Sequence, residues 1–161
     1  MIKLDSKVCQ AAFDSNWHDW CLGGPHPDGY TRVGDFVPYK PLLLTGHHEA
    51  MVLVDDVLSK NRNEVERWHL EFLDTNAPTS QTQYFQEYLL SRFEEQEALR
   101  RATQFKRLFQ RIAQQGVLKR VWVAETDLVR CFRFDGCHRA CCAKSCGITH
   151  IPAFVFSTEY V

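Results

Sequence analysis

Positive charge is not in surplus in this chain of 161 residues: 19 lysines and arginines face 20 aspartates and glutamates, for a formal net charge of −1. Basic side chains on phosphates supply most non-specific affinity for DNA, so a near-neutral balance argues against a protein that lives on nucleic acid. No apolar run is long enough to cross a bilayer, and the start, MIKLDSKVCQ, carries no stretch of signal-peptide length. These absences predict a cytoplasmic protein with no membrane partner. There is no internal repeat and no low-complexity tract, which sets aside solenoids and disordered linkers. Nor is there an even set of cysteines for a disulfide framework. The chain has seven, an odd number, five of them within residues 131–146, and reduced thiols are expected where no export signal is seen.

What is present is enough apolar material for a core. Hydrophobic residues make up 45% of the chain, within the globular range, and the length suits one domain. That domain reads as a loop-and-helix half over residues 1–80 and a second half over 82–161. Gly23-Gly24-Pro25, Pro27-Asp28-Gly29, Pro38 and Pro41 mark 14–41 as an irregular region, packed down by Trp17, Trp20 and Tyr30. Leu42-Leu43-Leu44 is a strand or the lead-in to a helix. The apolar spacing of Met51, Leu53, Val54, Val57 and Leu58 favours a helix over 47–60, with a strand through 51–54 as the alternative. A short helix is expected around 63–73. After the breaker cluster Thr75–Ser80, with Thr79 or Ser80 as a cap, helical periodicity runs from 82 to 115 through Phe85, Leu89, Phe93, Leu99, Ala102, Phe105, Phe109 and Ile112. One long helix or two with a small bend would carry it, and Gly116 stands where a C-terminal cap belongs.

From Val117 the period changes. Val121-Trp122-Val123 and Cys131-Phe132-Arg133-Phe134 read as strands with a turn at Asp127 between them. Residues 137–147 read as a helix closed by Gly147, and Ile151–Phe156 as a last strand with Pro152 at its start. The fold class is therefore α/β in the α+β sense: a small mixed sheet, a helical N-terminal half and one long helix.

Several spaced elements of this third agree with one family. Gln115-Gly116-Val117-Leu118, Asp135-Gly136-Cys137-His138-Arg139, Gly147-Ile148 and Ile151-Pro152 resemble the ParB/sulfiredoxin-like superfamily over roughly 105–157. The resemblance implies a mixed α/β domain whose Asp-Gly-x-His-Arg turn meets nucleotide phosphates. It implies ATP or ADP, possibly CTP, with Mg²⁺. Members include nucleotide-dependent phosphotransferases, sulfiredoxins and DNA-binding partition proteins, so fold membership does not choose a reaction.

The residues themselves give the same motif a physical meaning. A strand ending at Phe134 and a turn at Asp135-Gly136 lead into a helix whose first amides lack internal partners, and whose dipole favours an anion. Gly136 lets backbone approach a phosphate, His138 can donate a hydrogen bond, and Arg139 can grip oxygens in bidentate fashion. Asp135 is a candidate for capping the helix, holding metal or orienting a hydroxyl. An ordinary Asp-Gly turn with a surface arginine would look the same in isolation. Cys137, at a helix start beside His138 and Arg139, has the setting of a reactive thiol, which is the basis of a sulfiredoxin-type alternative, although sulfiredoxins carry Gly where Asp135 stands. Cys137, Cys141, Cys142 and Cys146 do not have zinc-site spacing and read as small apolar residues of one helix.

A second cluster, Gly46-His47-His48-Glu49, reads as another helix opening. There His47, His48 and Glu49 are candidates for contacts to an acceptor or for the general base of phosphoryl transfer. Glu49 or Asp55-Asp56 could also assist Mg²⁺, with no protein cage for a metal. The reading is a nucleotide-binding phosphotransferase of the small-molecule kinase type with an undetermined acceptor. Sulfiredoxin-like sulfinic acid reduction through Cys137 and a non-catalytic DNA- or protein-binding module are the alternatives.

Overall fold

The computed structural model of the protein describes residues 42–58, 64–125 and 132–160. The expectations for 14–41 and for a turn at Asp127 lie outside them. In chain order the elements are strand β1 (Leu42–Leu53), the single turn α1 (Val54–Val57), α2 (Glu64–Asp74), a 3₁₀ turn (Thr79–Gln81), a π-helical turn (Tyr84–Leu89), α3 (Glu95–Gln115), β2 (Val121–Glu125), β3 (Phe132–Asp135), α4 (Cys137–Ser145) and β4 (His150–Tyr160). The class is mixed α+β. The four strands form one sheet in the order β1-β4-β2-β3, so the β3–α4–β4 connection passes over one strand, β2. No helix among the described residues is long and apolar enough to cross a membrane.

The chain gathers into two compact units. One takes the described part of Met1–Ala50 with Trp122–Phe134 and Phe154–Val161, and the other takes Met51–Val121 and Asp135–Ala153. In β2 three consecutive residues, Val121, Trp122 and Val123, are buried, as a strand with neighbours on both sides and cover on both faces requires. In β4 burial alternates through Ile151, Ala153 and Val155, the period-2 signature of a strand.

The expected helix over 47–60 is overturned. Residues 42–53 form one twelve-residue strand, and only Val54–Val57 are helical. A helix would bury Met51 and Leu53 beside Val54 and Val57, yet Met51 is 61% and Leu53 43% exposed while Val54, Val57 and Leu58 are buried. The run 51–54 fits both periods locally, and pairing with the distant β4 decides for the strand. Gly46-His47-His48-Glu49 accordingly lies within β1 and opens no helix.

The helical unit follows the sequence more closely. α2 buries Glu66, His69, Phe72 and Leu73, a stripe at three- and four-residue spacing. The capping hydroxyl after the breaker cluster belongs to Thr82, not Thr79 or Ser80. Its Oγ1 accepts from the Phe85 amide at 3.3 Å and donates to the Thr79 carbonyl at 2.8 Å. The periodicity from 82 to 115 is carried by two helical segments, broken at 90–94. The break resets the phase, so that Ala98 rather than Leu99 turns inward; Leu99 is 43% exposed. Within α3, Glu97 receives hydrogen bonds from Arg100 and, at i+4, from Arg101. Lys106 donates to the Phe72 carbonyl at 2.5 Å, closing one of the last carbonyls of α2.

Both helix-ending glycines are where the sequence places them. Gly116 has φ +74° and its amide bonds Ile112 O. After α4, Gly147 has φ +74°, its amide meets Lys144 O, and the Ile148 amide meets Ala143 O; these two bonds form a Schellman closure. α4 buries Ala140, Cys141, Cys142 and Ala143 completely. Four small residues in a row let α4 approach α3, α2 and α1, its packing partners.

Candidate functional site

The start of α4 is built by Gly136. It caps the helix in a left-handed conformation, φ +104° and ψ +21°, and its carbonyl accepts from the Ala140 amide at 2.9 Å. A Cβ at this position would overlap Val121 Cγ1 and lie 2.8 Å from Val121 Cβ. Both the backbone angle and the space therefore require glycine. Val121 opens β2, so the end of β3 meets the start of its neighbour, as antiparallel pairing requires. The strand–turn–helix read from Phe134–Arg139 is thus formed.

Charge at this helix start differs from that at the others. α1 carries Asp55 and Asp56 in its first turn, α2 Glu64 and Glu66, and α3 Glu95 and Glu97; α4 carries no acidic residue there and has no side-chain cap. The positive end of its dipole is not offset by a first-turn carboxylate.

The three side chains that follow Gly136 point to different tasks. Arg139 Nη1 donates to the carbonyls of Lys119 at 3.1 Å and Arg120 at 2.6 Å. The guanidinium fastens the α3–β2 connection to the start of α4, and a phosphate gripped through Nη1 would have to displace those bonds. Cys137, the first residue of α4, is half-buried. His138 is turned inward. Its ring meets Phe105 edge-on at 4.6 Å and 90° and His69 at 4.7 Å and 63°, and its Nε2 lies 3.3 Å from the Tyr84 hydroxyl.

These partners form an aromatic cluster that sequence reasoning misses. His69, wholly buried, is in edge contact with Tyr84, Tyr88, Phe105 and His138. Its Nδ1 lies 2.6 Å from Val65 O, and its Nε2 has no hydrogen-bond partner. Tyr84 and Tyr88 stack at 5.5 Å and 19°. The Leu90 amide closes the turn on Phe85 O, an i→i+5 bond, and residues four apart share a helical face. Burial pushes the Tyr84 phenol well above its ordinary pKa, so it stays a neutral hydroxyl. The available signal is the helical spacing of Glu66, His69 and Phe72, which marks His69 as inward-facing but gives it no partner.

Of the remaining candidates, His48 and Glu49 are exposed on β1. They and His47 belong to one compact unit, and Asp135–Arg139 to the other. Asp55 Oδ1 is 2.8 Å from Lys144 Nζ. Among the described residues no group of three or more His, Cys, Asp or Glu side chains could hold a metal ion. Magnesium in nucleotide sites is carried mainly by phosphate oxygens, a mode that needs no such group.

The thiols of α4 divide by burial. Cys141 and Cys142 are fully buried, whereas Cys137 and Cys146 are half-buried. Burial, with smaller contributions from Cys146 and Cys137, pushes the Cys142 thiol up to about 12. Since the thiolate is the reacting form, brief alkylation of the native protein is expected to modify Cys137 before Cys141 or Cys142. Peptide mass spectrometry reads the order directly; early labelling of Cys142 would contradict the burial described.

No family model, no curated protein and no solved structure matches the chain.

Proposed function

We propose that the chain binds a nucleoside di- or triphosphate, ATP or ADP in the first instance, at the start of α4 and acts as a nucleotide-dependent phosphotransferase. The observation that carries this reading is the glycine-capped opening of α4, with no carboxylate in its first turn and fixed in place by Val121. A helix start of this kind favours a polyanion through its first-turn amides and its dipole. The resemblance of Asp135–Arg139 and Ile151-Pro152 to the ParB/sulfiredoxin-like superfamily supports the same assignment.

In this proposal the first-turn amides that follow Gly136 meet the phosphates and His138 donates to an oxygen. Arg139 contributes positive charge beside the site while holding the Lys119–Arg120 carbonyls. Asp135 helps place the acceptor or magnesium. Bound magnesium would supply charge neutralisation at the phosphate oxygens. Phosphoryl transfer needs mainly positioning and charge stabilisation. Calorimetry of the full chain with ATP, ADP and CTP in the presence of Mg²⁺ is expected to show saturable binding of at least one of them; absence of binding to all three sinks the proposal.

One observation favours a second reading. Cys137 stands half-buried at the first position of α4, the placement that sulfiredoxin-type chemistry would use. Reduction of a protein sulfinic acid to the sulfenic acid with ATP and an added thiol as reductant, lost in Cys137→Ser, would replace phosphotransfer as the activity.

A further inference from the structure

We propose that Tyr84, from the π-helical turn, is a positioning residue that fixes the tautomer of His138, so that His138 meets a ligand as an Nδ1–H donor. The link to a ligand rests on the nucleotide reading above; the tautomer does not.

Tyr84 is 1% exposed, and its hydroxyl lies 3.3 Å from His138 Nε2. A buried phenol that stays protonated must place its hydrogen on an acceptor. If Nε2–H pointed at the phenolic oxygen instead, the phenol hydrogen would itself be left without one, which costs about 1–3 kcal/mol for a buried group. The phenol therefore donates and Nε2 accepts. A neutral imidazole with an accepting Nε2 carries its proton on Nδ1. Nδ1–H, whatever acceptor it holds beforehand, is then the group that a phosphate oxygen would take over. His69 reaches the same tautomer independently, because its Nδ1 faces the Val65 carbonyl at 2.6 Å.

The phenol is held in position by its ring contacts. Its stacking on Tyr88 and its tilted contact with Phe72, 4.7 Å between centroids, hold the Tyr84 ring from two sides. Edge contacts from Phe105 and His69 hold the imidazole. Neither ring can turn away without opening packed aromatic surface. Tyr84→Phe keeps that packing and removes only the hydroxyl.

The test is a long-range ¹H–¹⁵N correlation spectrum of the histidine rings in the full-length protein, wild type and Tyr84→Phe. The wild type is expected to show His138 Nε2 as an unprotonated, hydrogen-bonded nitrogen and Nδ1 as protonated. In Tyr84→Phe the His138 signals are expected to move toward a tautomer mixture, while those of His69 keep their pattern. A protonated Nε2 in the wild type, or identical His138 signals in the variant, overturns the inference. Should the variant not fold, the wild-type spectrum alone decides it. With Mg-ADP as the probe, Tyr84→Phe is expected to bind about fivefold more weakly, the equivalent of one ordinary hydrogen bond. If the wild type binds no nucleotide the function proposed above fails, and the spectrum still shows which ring nitrogen of His138 carries the proton.

Discussion

Gly136→Ala is expected to destabilise the protein by about 2–5 kcal/mol, as the sum of left-handed backbone strain and an overpacked contact. The strain comes from φ +104°, a region that alanine rarely enters. The overpacking comes from Val121, whose Cγ1 occupies the place of the new methyl group. Because Val121 is fully buried at the start of β2, it cannot step aside without disturbing the sheet. Urea unfolding followed by circular dichroism measures the effect as a fall in midpoint. The two causes separate in the double variant Gly136→Ala, Val121→Ala. That variant relieves the contact but not the angle, and is expected to be less destabilised than the sum of its single changes. Strict additivity would show that the contact with Val121 is not what demands glycine.

Phe105→Ala is expected to cost about 3–5 kcal/mol, the range for a buried aromatic truncated to a methyl group. Phe105 is 3% exposed in the middle of α3, and its ring touches those of His69, Phe72, Tyr84 and His138. Through these contacts one side chain of α3 reaches α2, the π-turn and α4 at once. Truncation leaves a cavity bounded by rings that cannot collapse together, which places the substitution at the costly end. Phe105→Leu fills most of the volume and should lose far less. The urea midpoint reads both variants. A Phe105→Ala protein as stable as the wild type would mean that the aromatic cluster does not hold the unit together.

Part of this architecture is legible in the residues, and the rest is hidden for physical reasons. Gly116 and Gly147 are readable because a helix end in left-handed geometry selects glycine almost regardless of tertiary context, and both adopt φ +74°. Gly136 is readable as a turn, but not the reason that no other residue fits, since Val121 lies fifteen positions earlier and only folding brings it near. β1 escapes a sequence reading because Met51, Leu53, Val54, Val57 and Leu58 satisfy two periods, and the pairing with β4 that decides between them joins segments about a hundred residues apart. Arg139 reads from its chemistry as a phosphate ligand. Its bonds to the Lys119 and Arg120 carbonyls involve backbone atoms, which leave no trace in residue types. His69 and Tyr84 are invisible as partners of His138 because each belongs to a different helical segment. A lone histidine on an apolar stripe carries no sign of what it will touch.

The role proposed for the opening of α4 is to receive a polyanion. Amide chemical shifts of the ¹⁵N-labelled full-length protein, followed during titration with Mg-ADP and Mg-ATP, test it most directly. Saturable shifts concentrated at Gly136, Cys137, His138 and Arg139 are predicted. Shifts concentrated elsewhere, or no shift at any nucleotide concentration, would contradict it.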